Sequence, residues 1–131
     1  MNLEIVTPVR KLHDVEASEV VLPGAVGEFG VLPGHKPFLA SLGTGVMTYR
    51  SGGQLHALMI SGGLCEVLED RIAVLAEYAQ PATEIDIERA RRKIGELEGT
   101  LARLQAGDEQ APDLNARLEK HRARISAAVF K

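Results

Sequence analysis

The sequence lacks tryptophan, has one cysteine, and contains three phenylalanines and two tyrosines among its 131 residues. With so few aromatic rings, aliphatic side chains must fill the core, and a stacking platform for nucleic-acid bases is not expected. The net charge of -3 also argues against nucleic-acid binding, which usually requires a basic surface. Cys65 has no partner for an internal disulfide, and its apolar neighbours predict a buried, unreactive thiol.

Long hydrophobic runs are also missing. No apolar stretch approaches the roughly 20 residues that span a bilayer, and the N-terminal stretch does not resemble a signal peptide. We therefore expect a soluble protein of a reducing compartment. No metal site is expected, because the four histidines stand singly, without a second ligand at a suitable spacing: His13, His35, His56 and His121.

Short apolar runs between Gly and Pro characterise residues 1–80, and ten of the thirteen glycines precede residue 64. Many short strands without intervening helices indicate an antiparallel β-sandwich or flattened barrel. Alternation and turn residues predict nine strands, at residues 3–9, 12–17, 19–22, 30–32, 36–42, 45–50, 55–61, 63–68 and 71–76.

After Pro81 the hydrophobic period changes from two to about 3.5. One apolar stripe consists of Ile87, Ala90, Ile94, Leu97, Leu101 and Leu104, and a second of Leu114, Leu118, His121, Ile125 and Ala128. Two stripes joined by a short loop predict an antiparallel two-helix hairpin in residues 81–131, with helices at about 84–106 and 113–129. We expect Thr83 to cap the first helix and Gly107 to end it.

The first predicted helix contains Gly95 and Gly99, each of which costs about 0.5 to 1 kcal/mol relative to alanine. The two glycines either weaken the helix, so that it bends or detaches, or allow another backbone to approach closely. Because the two apolar stripes are narrow, we expect the hairpin to lean on another surface.

Two segments carry a family resemblance. Residues 22–37, LPGAVGEFGVLPGHKP, form a string of tight turns, because proline fixes φ and glycine permits positive φ. They lack the Lys-Ser/Thr and the strand-to-helix context of a phosphate-binding loop. Together with residues 60–67, ISGGLCEV, and the helical tail, they resemble the epsilon subunit family of the F-type ATP synthase over essentially the whole chain.

The resemblance implies a non-catalytic rotor subunit that needs no cofactor. In this family the β-sandwich attaches to the gamma subunit of the central stalk and to the ring of c subunits, on the cytoplasmic face of the bacterial inner membrane. The membrane is reached only through the complex. By position, the family's contacts with the c ring fall on Glu28, Gly34, His35 and Lys36, and the other sheet face would hold gamma.

The resemblance also implies a regulatory hairpin. In bacterial relatives it lies against the sandwich or extends along gamma, where its basic last helix inserts between the alpha and beta catalytic subunits and blocks ATP hydrolysis. The corresponding bases are Arg117, Lys120, Arg122 and Arg124. From the residues alone, this basic face either docks on an acidic partner or is solvated.

ATP is a regulatory ligand of some relatives, through an Ile/Leu-Asp-x-x-Arg-Ala motif that residues 85–90 reproduce. The site that this resemblance implies consists of Ile85, Asp86, Arg89, Ala90, Lys120 and Arg124. This chain has Gln80 and Glu96 where ATP-binding relatives carry an acid and a base. Without a nucleotide, Asp86 would cap the helix, Arg89 would be a surface residue and Ala90 would face the apolar stripe.

Two other interpretations remain open at this stage. One is a small ligand-binding β-sandwich protein or enzyme with a helical oligomerisation hairpin. Glu28 and His35 could form its acid/base pair, although no nucleophile accompanies them. The other is a free-standing helical adaptor, which the narrow stripes disfavour.

Overall fold

The computed structural model describes residues 1–130. Its strands are β1 (Asn2–Val6), β2 (Lys11–Glu16), β3 (Glu19–Gly24), β4 (Gly27–Val31), β5 (Phe38–Ser41), β6 (Thr44–Ser51), β7 (Gln54–Leu68) and β8 (Arg71–Pro81). A short 3-10 helix, Ala82–Glu84, leads to the helices α1 (Ile87–Arg103) and α2 (Ala111–Ala128). The predicted order of a β-sandwich followed by a two-helix hairpin is confirmed.

The strands follow the hydrogen-bonded order β2-β1-β8-β7-β6-β3-β4, and β5 pairs with β7. All pairs are antiparallel except β1 with β8, which run parallel from Asn2 beside Arg71 to Val6 beside Leu75. The antiparallel β-sandwich predicted from the sequence is confirmed, and this parallel pair is an exception that was not predicted. Alternating apolar residues mark a strand but not the direction of its partner, and the first and last strands meet only in the folded chain.

The long strand β7 joins two segments that the sequence predicted as separate strands. Residues 54–61 pair with β6, whereas residues 64–67 pair with β5. Between them, Gly62 and Gly63 have φ values of 74° and 118°. A Cβ at Gly63 would collide with the Leu75 carbonyl oxygen, so this close strand contact requires glycine. The two glycines lie within a continuous strand, although they resemble a turn in the sequence.

One aliphatic core holds the β-sandwich together, as the composition predicted. Its fully buried large side chains include Leu3, Ile5, Leu22, Met47, Leu58, Ile60 and Ile72. Cys65 is also fully buried in this core, and burial raises the pKa of its thiol to about 11. The predicted burial of the lone cysteine is confirmed.

Helix α2 packs on the outer face of β6 and β7. Three small residues of α2, named here the alanine face, are buried against Met59 and Ile85, with Val46 and Ile87 at the edge: Ala123, Ala127 and Ala128. Because Leu58 and Ile60 face the opposite way, into the sandwich core, residues 57–61 are all buried. The sequence placed Ala128 in an apolar stripe but did not single out Ala123 and Ala127, because alanine is compatible with core and surface alike.

Both helices differ in their bounds from the prediction. Helix α1 begins at Ile87 because the Asp86 carboxylate caps it, accepting a 3.0 Å hydrogen bond from the Arg89 amide. The expected cap, Thr83, belongs instead to the 3-10 helix. The helix ends at Arg103, before Leu104 turns to extended backbone, so Gly107 does not end it. Helix α2 starts two residues earlier than predicted, at Ala111, with Pro112 in its first turn.

The glycines of α1 have no close backbone neighbour. On either glycine, a Cβ would meet almost no atom of the described residues outside the backbone of the same helix. No heavy atom lies within 4 Å of a Cβ on Gly95, and a Cβ on Gly99 meets only Nη1 of Arg103, at 3.7 Å. Within residues 1–130, no other backbone makes the predicted close approach. Both glycines weaken the helix, and neither packs against another backbone of the described chain.

Candidate functional site

A cleft of about 510 Å³ lies where the end of β8, the 3-10 helix, α1 and α2 meet. Its lining consists of Tyr78, Gln80, Glu84, Asp86, Arg89, Ala90, Arg117, Lys120, His121 and Arg124, and we name it the basic cleft. Five of the six residues that the resemblance marks for ATP line it. The exception is Ile85, whose side chain is buried against the alanine face.

Arg124 is held in the basic cleft from three sides. Its Nε donates a 2.9 Å hydrogen bond to Oε1 of Gln80, and its Nη1 donates one of 3.0 Å to Nδ1 of His121. The guanidinium carbon lies 5.1 Å from the centroid of the Tyr78 ring. Gln80 is itself oriented, since its Nε2 donates to the Glu84 carbonyl at 3.2 Å. These contacts join α2 to the end of β8 and fix the guanidinium plane.

The charges around the cleft are unevenly paired. Glu84 accepts a 2.9 Å bond from Arg10, Asp86 serves as the helix cap, and Arg117 pairs with Asp113 at 3.1 Å. Three cations of the cleft form no ion pair within residues 1–130: Arg89, Lys120 and Arg124. Two acids are thus already engaged while three cations face the opening, and the cleft attracts anions.

His121 contributes a titratable group that the sequence placed in an apolar stripe. Burial, followed by the nearby cations Arg124, Lys93 and Arg89, holds the pKa of this imidazole below its ordinary value of 6.5. A neutral ring is also what the hydrogen bond requires, because Nδ1 accepts from Arg124. Tyr78, Glu84 and His121 were not singled out as site residues, since only the fold brings β8 and α2 together.

The predicted inhibitory helix divides between two sides. Arg117, Lys120 and Arg124 line the basic cleft, whereas Arg122 donates to Glu98 at 3.2 Å. Arg122 also lines a separate groove together with Glu28 of β4. The basic residues of α2 therefore do not share one face in the docked hairpin.

The turn-rich edge, residues 27–37, carries the residues that the resemblance assigns to the c ring. Gly34 has a φ of 81°, and the His35 amide donates to the Leu32 carbonyl at 3.1 Å, as in a turn that requires positive φ at its third residue. His35 Nδ1 donates to the Lys36 carbonyl at 2.8 Å. These three residues lie in one exposed loop. Glu28 is equally exposed but belongs to β4, not to a turn as predicted.

The His35 ring belongs to a small aromatic cluster. It packs edge-on against Phe38 at 5.7 Å, and Phe38 packs against Phe29 at 5.3 Å. Phe29 also packs against the sandwich core. The loop is therefore anchored to the sandwich and not free to swing.

Four leucines are exposed on the outer face of β5, β7 and β8, here named the apolar sheet face: Leu39, Leu64, Leu68 and Leu75. Leu64 lies directly opposite Leu75 in the sheet. Their exposed fractions are 44% and 50%, and Leu39 on β5 is 65% exposed. Glu66, which pairs with Leu39, lies between Leu64 and Leu68 on the same face, so the leucines border one exposed carboxylate. Exposure of several apolar side chains on one face is typical of a surface that a partner covers.

Neither a metal site nor a membrane span is present in the described part of the chain. In residues 1–130, no three metal-ligating side chains come together. Over the same residues, no helix is long and apolar enough to cross a bilayer.

Comparison with known proteins points to one family. Residues 1–82 match the family model described as ATP synthase, Delta/Epsilon chain, beta-sandwich domain. The ATP synthase epsilon chain of Anaeromyxobacter sp. (strain Fw109-5) is 42% identical over 128 residues, which cover 98% of this chain and 97% of that one. That of Trichlorobacter lovleyi is 44% identical, covering 98% and 93%.

Among solved structures, a chain in the cryo-EM structure of the Euglena gracilis mitochondrial ATP synthase (OSCP/F1/c-ring) matches with a TM-score of 0.84. It covers 98% of this chain and 81% of that chain at 24% identity, which shows a shared fold. The sequence matches argue against both alternative interpretations, a small ligand-binding protein or enzyme with an oligomerisation hairpin and a free-standing helical adaptor. On the family model and the full-length relatives, this chain belongs to the family of ATP synthase epsilon chains, which are non-catalytic subunits of that complex.

Proposed function

We propose that this central-stalk subunit attaches to gamma through the apolar sheet face and to the c ring through the turn-rich edge, on the cytoplasmic face of the bacterial inner membrane. The observation that carries the proposal is the pair of surfaces itself. One is a sheet face with four exposed leucines around Glu66, as a permanent partner could cover, and the other is a polar loop anchored by Phe29 and Phe38. An anchored loop transmits torque better than a flexible one.

Gamma binding is tested by making the apolar sheet face polar. The double variant Leu64→Ser, Leu75→Ser should retain the fold, because both side chains point away from the core, and should lose co-purification with gamma. Val26→Ser is the matched control, since Val26 is fully exposed in the turn between β3 and β4. Undiminished recovery of gamma with the double variant would refute this assignment.

The c-ring contact is tested at the residues that the resemblance marks. Glu28→Ala with His35→Ala should weaken coupled proton pumping in membranes without unfolding the sandwich, because both side chains are exposed. Glu109→Ala, in the exposed loop between the helices, is the control. Unchanged coupling in the double variant would show that these two side chains are not part of the contact.

The hairpin is proposed to inhibit ATP hydrolysis when it leaves the sandwich and inserts between the alpha and beta subunits. The hairpin docks on the sandwich through three alanines, whose side chains bury little apolar area. In addition, Gly95 and Gly99 lower the stability of α1. A small docking surface places the docked and released states within a few kcal/mol of each other, as a switch requires.

Two variants of the complex test inhibition. Deletion from Thr83 should leave the sandwich folded and raise ATP hydrolysis. Neutralising Arg117, Lys120, Arg122 and Arg124 to glutamine should have a similar effect, because the arm loses its attraction to acidic surfaces. Neutralising Arg91 and Arg92 of α1, which are also exposed, is the control. If both test variants hydrolyse ATP at the unmodified rate, the hairpin is not an inhibitor in this protein.

ATP is proposed as a regulatory ligand of the basic cleft in the docked state. Arg89 and Lys120 lack ion-pair partners within the described residues and face the same opening as Arg124, which suits a phosphate chain. Calorimetry on the isolated chain tests this: Arg89→Ala should abolish binding, and Arg91→Ala on the exposed face of α1 should not. Absence of heat with millimolar ATP on the unmodified chain would reject the site.

A further inference from the structure

The hydrogen bond from Arg124 to His121 links the cleft's anchored cation to a titratable ring. Arginine only donates, so Nδ1 of His121 accepts at 3.0 Å and the ring is neutral, with its proton on Nε2. Any ligand that attracts Nη1 of Arg124 competes directly with this imidazole nitrogen.

The surroundings of His121 are dominated by positive charge. The cations near it are Arg117, Lys120 and Arg124 from α2, and Arg89 and Lys93 from α1. Arg117 is paired with Asp113 and Lys93 with Glu96, whereas the other three form no ion pair within residues 1–130. The acids of the cleft, Glu84 and Asp86, are engaged by Arg10 and by the α1 backbone. From β8 only the uncharged Tyr78 and Gln80 face it. Without a bound anion, a further positive charge on His121 is therefore unfavourable, in agreement with its lowered pKa.

We propose that an anion bearing phosphate groups binds in the basic cleft together with one proton, which His121 takes up at Nδ1. The inference rests on the proposed nucleotide site and adds a regulatory input to it. The anion draws Nη1 of Arg124 away and releases Nδ1, while its negative charge outweighs the repulsion from the cations. The protonated ring then donates from Nδ1 to the ligand, so that both partners of the former bond contact the anion.

The direction of the pH effect follows from linkage. Binding that takes up a proton becomes tighter as pH falls. The increase in affinity begins near the pKa that His121 has with the anion bound, and it levels off below the lower pKa that His121 has without the anion. Each unit by which the anion raises this pKa corresponds to about tenfold in affinity. We expect the unmodified chain to bind about three- to tenfold more tightly at about pH 6 than at about pH 8 through this residue.

Calorimetry with ATP, on the unmodified chain and on His121→Gln, tests the coupling. Glutamine keeps an acceptor near Arg124 but does not titrate. ATP itself titrates in this range and does so equally for both proteins, so the difference between them belongs to His121. Titrations in two buffers of different ionisation enthalpy should show about half a proton more taken up by the unmodified chain near pH 6. His56→Gln, a half-buried histidine outside the cleft, should behave like the unmodified chain.

A second measurement needs neither ATP nor a variant. Sulfate keeps its charge over the whole range, and its addition should raise the pKa of His121 as followed by NMR of the ring. If ATP binds with equal pH dependence and proton uptake in both proteins, the inference fails while the nucleotide site stands. If ATP gives no heat but sulfate raises the pKa, the nucleotide site fails and the coupling stands. If neither has an effect, both are overturned.

Discussion

Arg124 on α2 donates a 2.9 Å hydrogen bond from Nε to Oε1 of Gln80 at the end of β8. This polar contact lies beside the alanine face, and the two together hold the hairpin on the sandwich. The hairpin's position therefore depends on a few identifiable contacts, and each can be altered without touching the sandwich core.

Replacing Gln80 by glutamate should strengthen docking. A carboxylate in place of the amide turns the neutral acceptor of Arg124 into a charged one, so that the hydrogen bond becomes an ion pair. The docked state should become more stable by only about 0.5 to 1 kcal/mol, because the site is partly solvated and the hydrogen bond from Gln80 Nε2 to the Glu84 carbonyl is lost. Hydrogen exchange of the α2 amides should slow accordingly. Gln80→Met, similar in size but unable to accept, should accelerate it, and equal rates in all three proteins would contradict a holding role for Gln80.

Ala127→Leu should displace α2 without unfolding the sandwich. Ala127 is fully buried, and added methylenes in such a contact cost about 1 to 3 kcal/mol. Ala116→Leu places the same side chain at an exposed position of α2 and should change little. Limited proteolysis should cut the hairpin of the first variant and spare that of the second. Equal resistance would show that the helix accommodates the larger side chain.

Gly63→Ala should destabilise the sandwich itself. The backbone φ of 118° disfavours a side chain, and the new Cβ would meet the Leu75 carbonyl. We expect a loss of about 3 kcal/mol or more, against about 1 kcal/mol for Gly53→Ala, whose positive φ lies in an open turn. Urea unfolding followed by circular dichroism compares them. Similar losses in both would mean that β7 shifts to admit the side chain.

The sandwich should lose stability in mild acid through His13. Its ring packs edge-on against Tyr49 at 5.6 Å, and burial, with repulsion from His56 and Arg10, lowers its pKa from 6.5, despite an opposing effect of Glu84. The unfolded chain therefore takes up the proton first. Stability contributed by the neutral ring is complete above the unfolded pKa and is lost as pH falls from 6.5 towards the folded pKa.

In the variant His13→Gln, the free energy of unfolding should not show this loss of stability as pH falls from 6.5. His35→Gln, in the exposed loop, should retain it and serves as the control. An identical slope for all three proteins between about pH 6.5 and pH 5 would rule out His13 as its source.

The sequence by itself determined the kinds of elements and their order. Short runs of alternating apolar residues, bounded by Gly and Pro, marked the strands, and the change of the hydrophobic period after Pro81 marked two helices. Both signals are local, because the spacing of apolar residues decides which face of a strand or helix is apolar. The resemblance read from the sequence also located the motif at residues 85–90 and the bases of α2. It could not show that Asp86, Arg89 and Ala90 line one cleft with Arg117, Lys120 and Arg124, since the two groups lie some thirty residues apart.

The tertiary structure decided what depends on contacts between distant segments. Gly62 and Gly63 resemble a turn until β8 is seen beside them, and β1 pairs in parallel with β8, the last strand of the sandwich in the sequence. Ala123 and Ala127 become a docking face because Met59 lies opposite. Alanine and glycine carry little local signal, so their roles are set by the approach of a neighbouring backbone or side chain, which local periodicity does not encode.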